Sequence, residues 1–171
     1  MQSLSKTLKR AKTALDSRGI SYALIGGLAL GGRGVHRATM DVDLLVDGQK
    51  REAARSVLEN AGFKLKAETA EVMHFTGRGD LDLLFANREP TRQMLSKAET
   101  LPTLQIKCVS AEDLIGLKIQ AYVNNPKRVL QDKADIVALI EKNPQLDWQL
   151  VKQYADIFGE WPTIQELREQ L

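Results

Sequence analysis

The chain has 171 residues, 43% of them hydrophobic and 27% charged, with a formal net charge of +2 and a single cysteine. That length and balance suit one folded domain with its own core and exclude the disordered, collagen-like and membrane-spanning classes. One cysteine permits no internal disulfide, and the first residues lack a signal-peptide pattern, which predicts a reducing, cytoplasmic setting and no membrane partner. Charge is unevenly spread. Residues 1–40 hold seven basic side chains against one acidic, a net +6, and the remainder is acidic. Such asymmetry fits a face that meets phosphate or nucleic acid, and equally a solvated first helix.

In chain order, Leu4, Leu8, Ala11 and Leu15 recur at helical spacing with Lys6, Lys9 and Arg10 opposite, predicting an amphipathic helix that ends near Gly19. A strand over 22–25 follows. Gly26-Gly27 ends it before a small-residue segment over 28–34. A second strand covers 40–46, closed by the Asp47-Gly48 turn, and a helix runs over 49–61. Short strands are expected at 63–67, 72–76 and 81–86, with hairpin connections at 69–71 and 77–79. Pro90 opens a short helix to about residue 97, and 104–109 reads as the last strand. Everything after it is helical. Ser110 and Asp113 form a capping box, with Val109 and Leu114 as a staple, for a helix over 111–123. Further helices are expected over 127–142, after the Asp147 cap, and after Thr163, whose spacing to Glu166 repeats the box. The fold class is therefore α+β, one domain over 1–171, with an α/β core to about residue 109 and a helical part over 110–171.

Chemistry concentrates at Met40-Asp41-Val42-Asp43-Leu44. Residues two apart on a strand share a face, so the two carboxylates stand about 6.6 Å apart at the backbone. Their repulsion calls for a cation, and hard oxygens suit Mg²⁺, which often serves phosphoryl transfer as a pair of ions. The bland alternative is the wet face of an amphipathic strand. Leu81-Asp82-Leu83-Leu84 repeats the pattern and offers a third carboxylate in Asp82, with Asp80 as competitor. Gly26 and Gly27 let backbone N–H groups approach phosphates. Lys118 shares a helical stripe with Ile115, Ile119 and Tyr122, so it must snorkel or find an anion. Arg37 and Thr39 share the parity of the aspartates and are candidate phosphate contacts if the strand begins early; otherwise Arg37 lies in the preceding turn. His36 and His74 are too few and too separated to argue for zinc, and Cys108 reads as core. Trp148 and Trp161 read as helix-packing residues.

The order of strand, Gly26-Gly27, a 13-residue spacer and Asp41-Val42-Asp43, with a later acid, resembles the DNA-polymerase-β-like nucleotidyltransferase superfamily. Arg37-Ala38-Thr39-Met40-Asp41-Val42-Asp43 is similar to the R-x-T-x-D-x-D of AbiEii-type nucleotidyltransferases of bacterial abortive-infection and toxin-antitoxin systems. Leu114 to Ala121, with Lys118 inside it, followed by Arg128, Lys133 and Asp135-Ile136, extends the resemblance, which covers about residues 22–139. Glycine stands at position 27 where many relatives carry serine.

The resemblance implies a nucleotidyltransferase-like mixed sheet with flanking helices. It also implies transfer of a nucleoside monophosphate from an NTP to an acceptor hydroxyl with Mg²⁺, two ions being expected. Asp41, Asp43 and Asp82 would bind metal, Gly26, Gly27, Arg37 and Thr39 the nucleotide, and Lys118 the triphosphate charge. Asp135 would serve catalysis or pair with Lys133 or Arg128. A tRNA or other RNA acceptor and an antitoxin partner are implied by the toxin-like part of the match. A catalytically inactive scaffold and a small-molecule, antibiotic-type nucleotidyltransferase are the alternatives.

Overall fold

A computed structural model describes residues 3–171. The order is α1 (Leu4–Asp16), β1 (Tyr22–Ile25), α2 (Gly26–Gly32), β2 (Asp41–Asp47), α3 (Arg51–Asn60), β3 (Lys64–Glu68), β4 (Val72–Thr76), β5 (Asp80–Ala86), α4 (Glu89–Lys97), β6 (Glu99–Leu101), β7 (Ile106–Cys108), α5 (Ala111–Asn124), α6 (Val129–Lys142), α7 (Trp148–Ile157) and α8 (Trp161–Glu169). It divides into two compact units: the chain up to Leu28 with Ala38–Val109, and Ala29–Arg37 with Ser110–Leu171. No helix among the described residues is long and apolar enough to cross a membrane.

The first unit is built on a seven-stranded mixed sheet in the order β3-β4-β5-β2-β1-β7-β6. Central β2 runs antiparallel to β1 and parallel to β5. It reads Asp-Val-Asp-Leu-Leu-Val-Asp, and period-2 alternation sends Val42 and Leu44 into the core while Asp41 and Asp43 stay half-buried on the other face. Leu24, Leu81, Leu83, Phe75 and Phe85 complete the interior; burying each such side chain contributes about 1.5–3 kcal/mol. Ser3 caps α1 through a bond from the Lys6 amide, Leu8, Ala11 and Leu15 are buried, and Lys6, Lys9 and Arg10 face solvent as their spacing requires.

The second unit packs α5 against α6 and α7, with α8 against α6 and α7. The capping box at Ser110 forms, its hydroxyl accepting from the Asp113 amide while Asp113 accepts from the Ser110 amide. Gly116 makes room for the Tyr154 ring, since a Cβ there would lie 2.7 Å from ring carbons. Tyr154 donates to Asp113 Oδ1 at 2.6 Å.

Three local expectations change. Residues 26–32 are helical rather than a loose segment. The strand expected over 104–109 is only Ile106–Cys108 and pairs with β6, with Gln105 at φ 50° closing the turn. Helix α8 starts at Trp161 rather than after Thr163 because Pro162, with its fixed φ and no N–H, fits the first turn and places Thr163 inside the helix.

Candidate active site

The register of three strands assembles the acids. Asp43 lies beside Asp82 across β2 and β5, and Ile25 of β1 lies beside Asp43 from the other side. Carboxylate oxygens of Asp41, Asp43 and Asp82 all lie within 4.8 Å of one another. Asp80 falls opposite Asp41 in the ladder but is exposed and outside this group. The chemistry of the donors fits a hard divalent ion: three oxygen ligands converge and no nitrogen or sulfur competes within the set. Burial raises the pKa of Asp82; the charges of Asp41 and Asp80 add to the rise, and the hydrogen bond and charge of His74 oppose it.

The two glycines answer to their neighbours. Gly26 takes a left-handed φ of +65°, and a Cβ on it would fall on the Asp43 carboxylate. A Cβ on Gly27 would lie 2.5 Å from Thr39 Oγ1. Thr39 therefore fills the place a side chain at 27 would need, and its hydroxyl donates to Asp41 Oδ1 at 3.1 Å. That gives a physical reason for glycine rather than serine at 27: the hydroxyl near Asp41 comes from the segment before β2.

Beside the triad opens a cavity of about 340 Å³ lined by Met40, Asp41, Lys66, His74, Asp80 and Asp82, among others. Met40 is 71% exposed at its edge. A larger cavity of about 560 Å³ lies at the opposite end of the sheet, by Tyr22 and Asp47. The acid triad is not part of it.

In the second unit Lys118 has found anions. It is 5% exposed and reaches Asp132 Oδ1 at 2.8 Å and Asp135 Oδ2 at 2.6 Å. Arg128 Nε holds Asp132 Oδ2 at 3.0 Å, and Arg37 Nε holds Asp135 Oδ1 at 3.1 Å. Arg37 precedes β2 rather than lying in it, because the strand begins at Asp41. Asp135 is buried, so neither a surface pairing nor one with Lys133 describes it; its cations are Lys118 and Arg37.

Sequence reasoning missed His74. Its Nδ1 lies 2.8 Å from Asp82 Oδ1. The signal was present: a hairpin whose turn, Gly77-Arg78-Gly79, is centred on Arg78 puts residue 74 opposite residue 82, as the ladder has it.

No protein-family model and no curated protein sequence matches the chain. Solved structures do. The antibiotic-resistance factor ANT(2'')-Ia is 18% identical with TM-score 0.66, covering 97% of this chain and 96% of that one. The fold is that of the nucleotidyltransferases. The lincosamide antibiotic adenylyltransferase LnuA is 16% identical with TM-score 0.58, covering 81% and 96%. An antigenic nucleotidyltransferase-like protein from Paracoccidioides brasiliensis is 20% identical with TM-score 0.55, covering 96% and 91%.

The triad carries a stability cost that substitution should reveal. Three half-buried carboxylates repel when no cation is added, and Asp82 has the raised pKa that marks its charge as unfavourable. Asp82→Asn removes that charge while keeping an oxygen that accepts from His74. In metal-free buffer near neutral pH its melting temperature should rise by about 2 °C. A fall in a calorimetric scan would mean that the triad does not repel.

Proposed function

We propose that the protein is a metal-dependent nucleotidyltransferase that moves a nucleoside monophosphate from an NTP to an acceptor hydroxyl and releases pyrophosphate. The observation that carries this reading is the convergence of Asp41, Asp43 and Asp82 on one face of a nucleotidyltransferase fold. Asp41 and Asp43 would hold Mg²⁺, two ions being expected, with Asp82 completing the site on the acceptor side. The ions, when bound, would polarise the phosphate and favour loss of the acceptor hydroxyl's proton. Gly26 and Gly27, bare of side chains beside Asp43 and Thr39, would bring backbone N–H groups to the phosphates, and Thr39 would orient Asp41. Arg37 belongs to the second unit, where Asp135 holds its Nε. Lys118 of the same unit would serve to neutralise Asp132 and Asp135.

For the acceptor we propose RNA, and within that class tRNA. Lys6, Lys9 and Arg10 line a groove of about 610 Å³ where α1 meets α3, together with Asn60 and Ala61. Such a basic groove, with the hydroxyls of Thr13 and Ser17 in its lining, suits a phosphate backbone. Replacing all three cations with glutamine should weaken labelling of RNA by radioactive NTP. It should also lower the salt slope of binding by about 2 units or more, at about 0.7–0.9 per lost phosphate contact, while NTP binding persists. Undiminished labelling at every salt concentration would remove the groove from the mechanism. The toxin-like resemblance alone speaks for an antitoxin partner.

A second reading has its own support. ANT(2'')-Ia is known in complex with adenylyl-2''-tobramycin and LnuA with lincomycin, and the cavity beside the triad carries Asp41, Asp80 and Asp82 against Lys66. That acidic lining would suit a small amine-bearing polyol. Incubating the protein with each labelled NTP, and either total RNA or a panel of aminated polyols, separates the readings by which fraction takes up label. No uptake in either fraction, with no NTP binding in Mg²⁺, would instead support a catalytically inactive scaffold.

A further inference from the structure

Asp80 and Asp82 present the same chemistry on the same face of β5, yet only Asp82 joins the triad. Beyond the greater exposure of Asp80, their bonding separates them. Asp82 faces His74 across the β4–β5 ladder and is bonded to it, whereas the side chain of Asp80 has no hydrogen-bond or ion-pair partner among the described residues. We propose that His74 is a positioning residue for the metal site: its ring holds one oxygen of Asp82, so that the carboxylate is turned with its other oxygen toward Asp41 and Asp43. The inference rests on the reading of the triad as a metal site.

The atoms require a definite arrangement. An ionised carboxylate oxygen only accepts, so Nδ1 carries the hydrogen and donates to Asp82 Oδ1 at 2.8 Å. A carboxylate tied at one oxygen loses most of its rotation about the terminal torsion, which is otherwise broad. Its second oxygen is then fixed in direction before an ion arrives. The tie is local and economical: β4 is paired with β5 through Val72↔Leu84, Met73↔Leu83, His74↔Asp82 and Phe75↔Leu81, so Cα positions of the two residues are set by the sheet. Buried Met73 and Phe75 on either side of His74 pin that strand's register and so the face its ring occupies. His74 itself is 43% exposed at its side chain. A core-packing role does not explain the residue, because at this exposure it contributes little burial and a small polar side chain would serve the strand as well. Donors of this kind, bonded to a metal-binding carboxylate, typically govern metal affinity by 10–100-fold.

Isosteric replacements isolate the hydrogen bond. Asparagine places its amide nitrogen close to the position of the ring Nδ1, and glutamine places it close to Nε2. Mn²⁺ binding, read from the loss of the free-ion electron paramagnetic resonance signal, requires no substrate and no turnover. For His74→Ala and His74→Gln the Mn²⁺ dissociation constant should rise by about 10-fold or more, while His74→Asn should stay within about threefold of wild type. Melting temperatures of the three variants, taken on the same samples, report any loss of fold. If His74→Ala is too unstable to titrate, the contrast between the asparagine and glutamine variants decides. Wild-type affinity in His74→Gln, or equal weakening in the asparagine and glutamine variants, would overturn the role. Absence of Mn²⁺ binding by the wild type would overturn the metal reading itself and this inference with it.

Discussion

Replacing Lys118 with methionine should destabilise the protein by about 3–5 kcal/mol, because it leaves two buried carboxylates short of their shared cation. Asp132 is 0% and Asp135 3% exposed, and Lys118 Nζ sits between them at 2.8 and 2.6 Å. Methionine fits the apolar stripe of Ile115 and Ile119 in volume, so packing is nearly conserved and the loss reports charge. Arg128 still bonds both oxygens of Asp132, at 3.0 and 3.4 Å, and Arg37 still holds one oxygen of Asp135, which places the expected effect toward the lower end of that range. Urea unfolding measures it. Adding Asp132→Asn and Asp135→Asn to the same chain should recover much of the stability, since an uncharged cluster no longer needs the lysine. A Lys118→Met variant as stable as wild type would show that the network is solvated.

The pH dependence has a fixed sign. Burial pushes the pKa of Asp132 up, but hydrogen bonds from Arg128 and Lys118, with their charges, outweigh it and hold the carboxyl below its usual value. A lowered folded value means stability that is complete above the unfolded pKa of about 3.9 and is lost as pH falls through the folded value. Wild type should therefore hold its stability down to the acid range. In the Lys118→Met variant the two carboxylates are short of a cation, so protonating them should give the same relief as the asparagine replacements, and the gap in stability to wild type should narrow as pH falls.

How much of this was legible in the sequence depended on the range of each signal. The pairing of Asp41 with Asp43 needs only the alternation of one strand, and the helix at Ser110 needs only four residues of capping chemistry; both are present. Helix α2 was hidden because glycines at 26, 27, 31 and 32 argue against a helix locally. The structure places them where Asp43 and Thr39 crowd the first two, a reason no local rule contains. The apolar stripe around Lys118 calls for an anion, but identifying Asp132 and Asp135 requires the packing of α5 on α6. For His74 the sequence poses the question of zinc, which turns on ligand number, while its relation to Asp82 turns on hairpin register. Choosing Asp82 over Asp80 likewise needed side-chain positions, since both share one parity.

Asp43→Ala should abolish nucleotidyl transfer, with a loss of about 10³-fold or more, and should do so without harming the fold. Asp43 lies at the centre of the ladder, with Ile25 on one side and Asp82 on the other. Of the three acids it is the one that Gly26 approaches closely enough to exclude a Cβ there. If ions are shared between Asp41 and Asp43, removing Asp43 takes away an oxygen that no neighbouring side chain replaces among the described acids of the cluster. Charge stabilisation of several kcal/mol is then lost from the transition state, and about 4 kcal/mol corresponds to 10³ in rate. Asp43 is half-buried on the face opposite Val42 and Leu44, so its removal opens no cavity in the core, and it relieves repulsion with Asp41 and Asp82. Melting temperature should be unchanged or slightly raised in metal-free buffer, and the stabilisation that Mg²⁺ with NTP gives to the wild type should disappear in the variant. Transfer of labelled NMP within tenfold of wild type by a folded Asp43→Ala protein would show that the triad is not where the reaction is run.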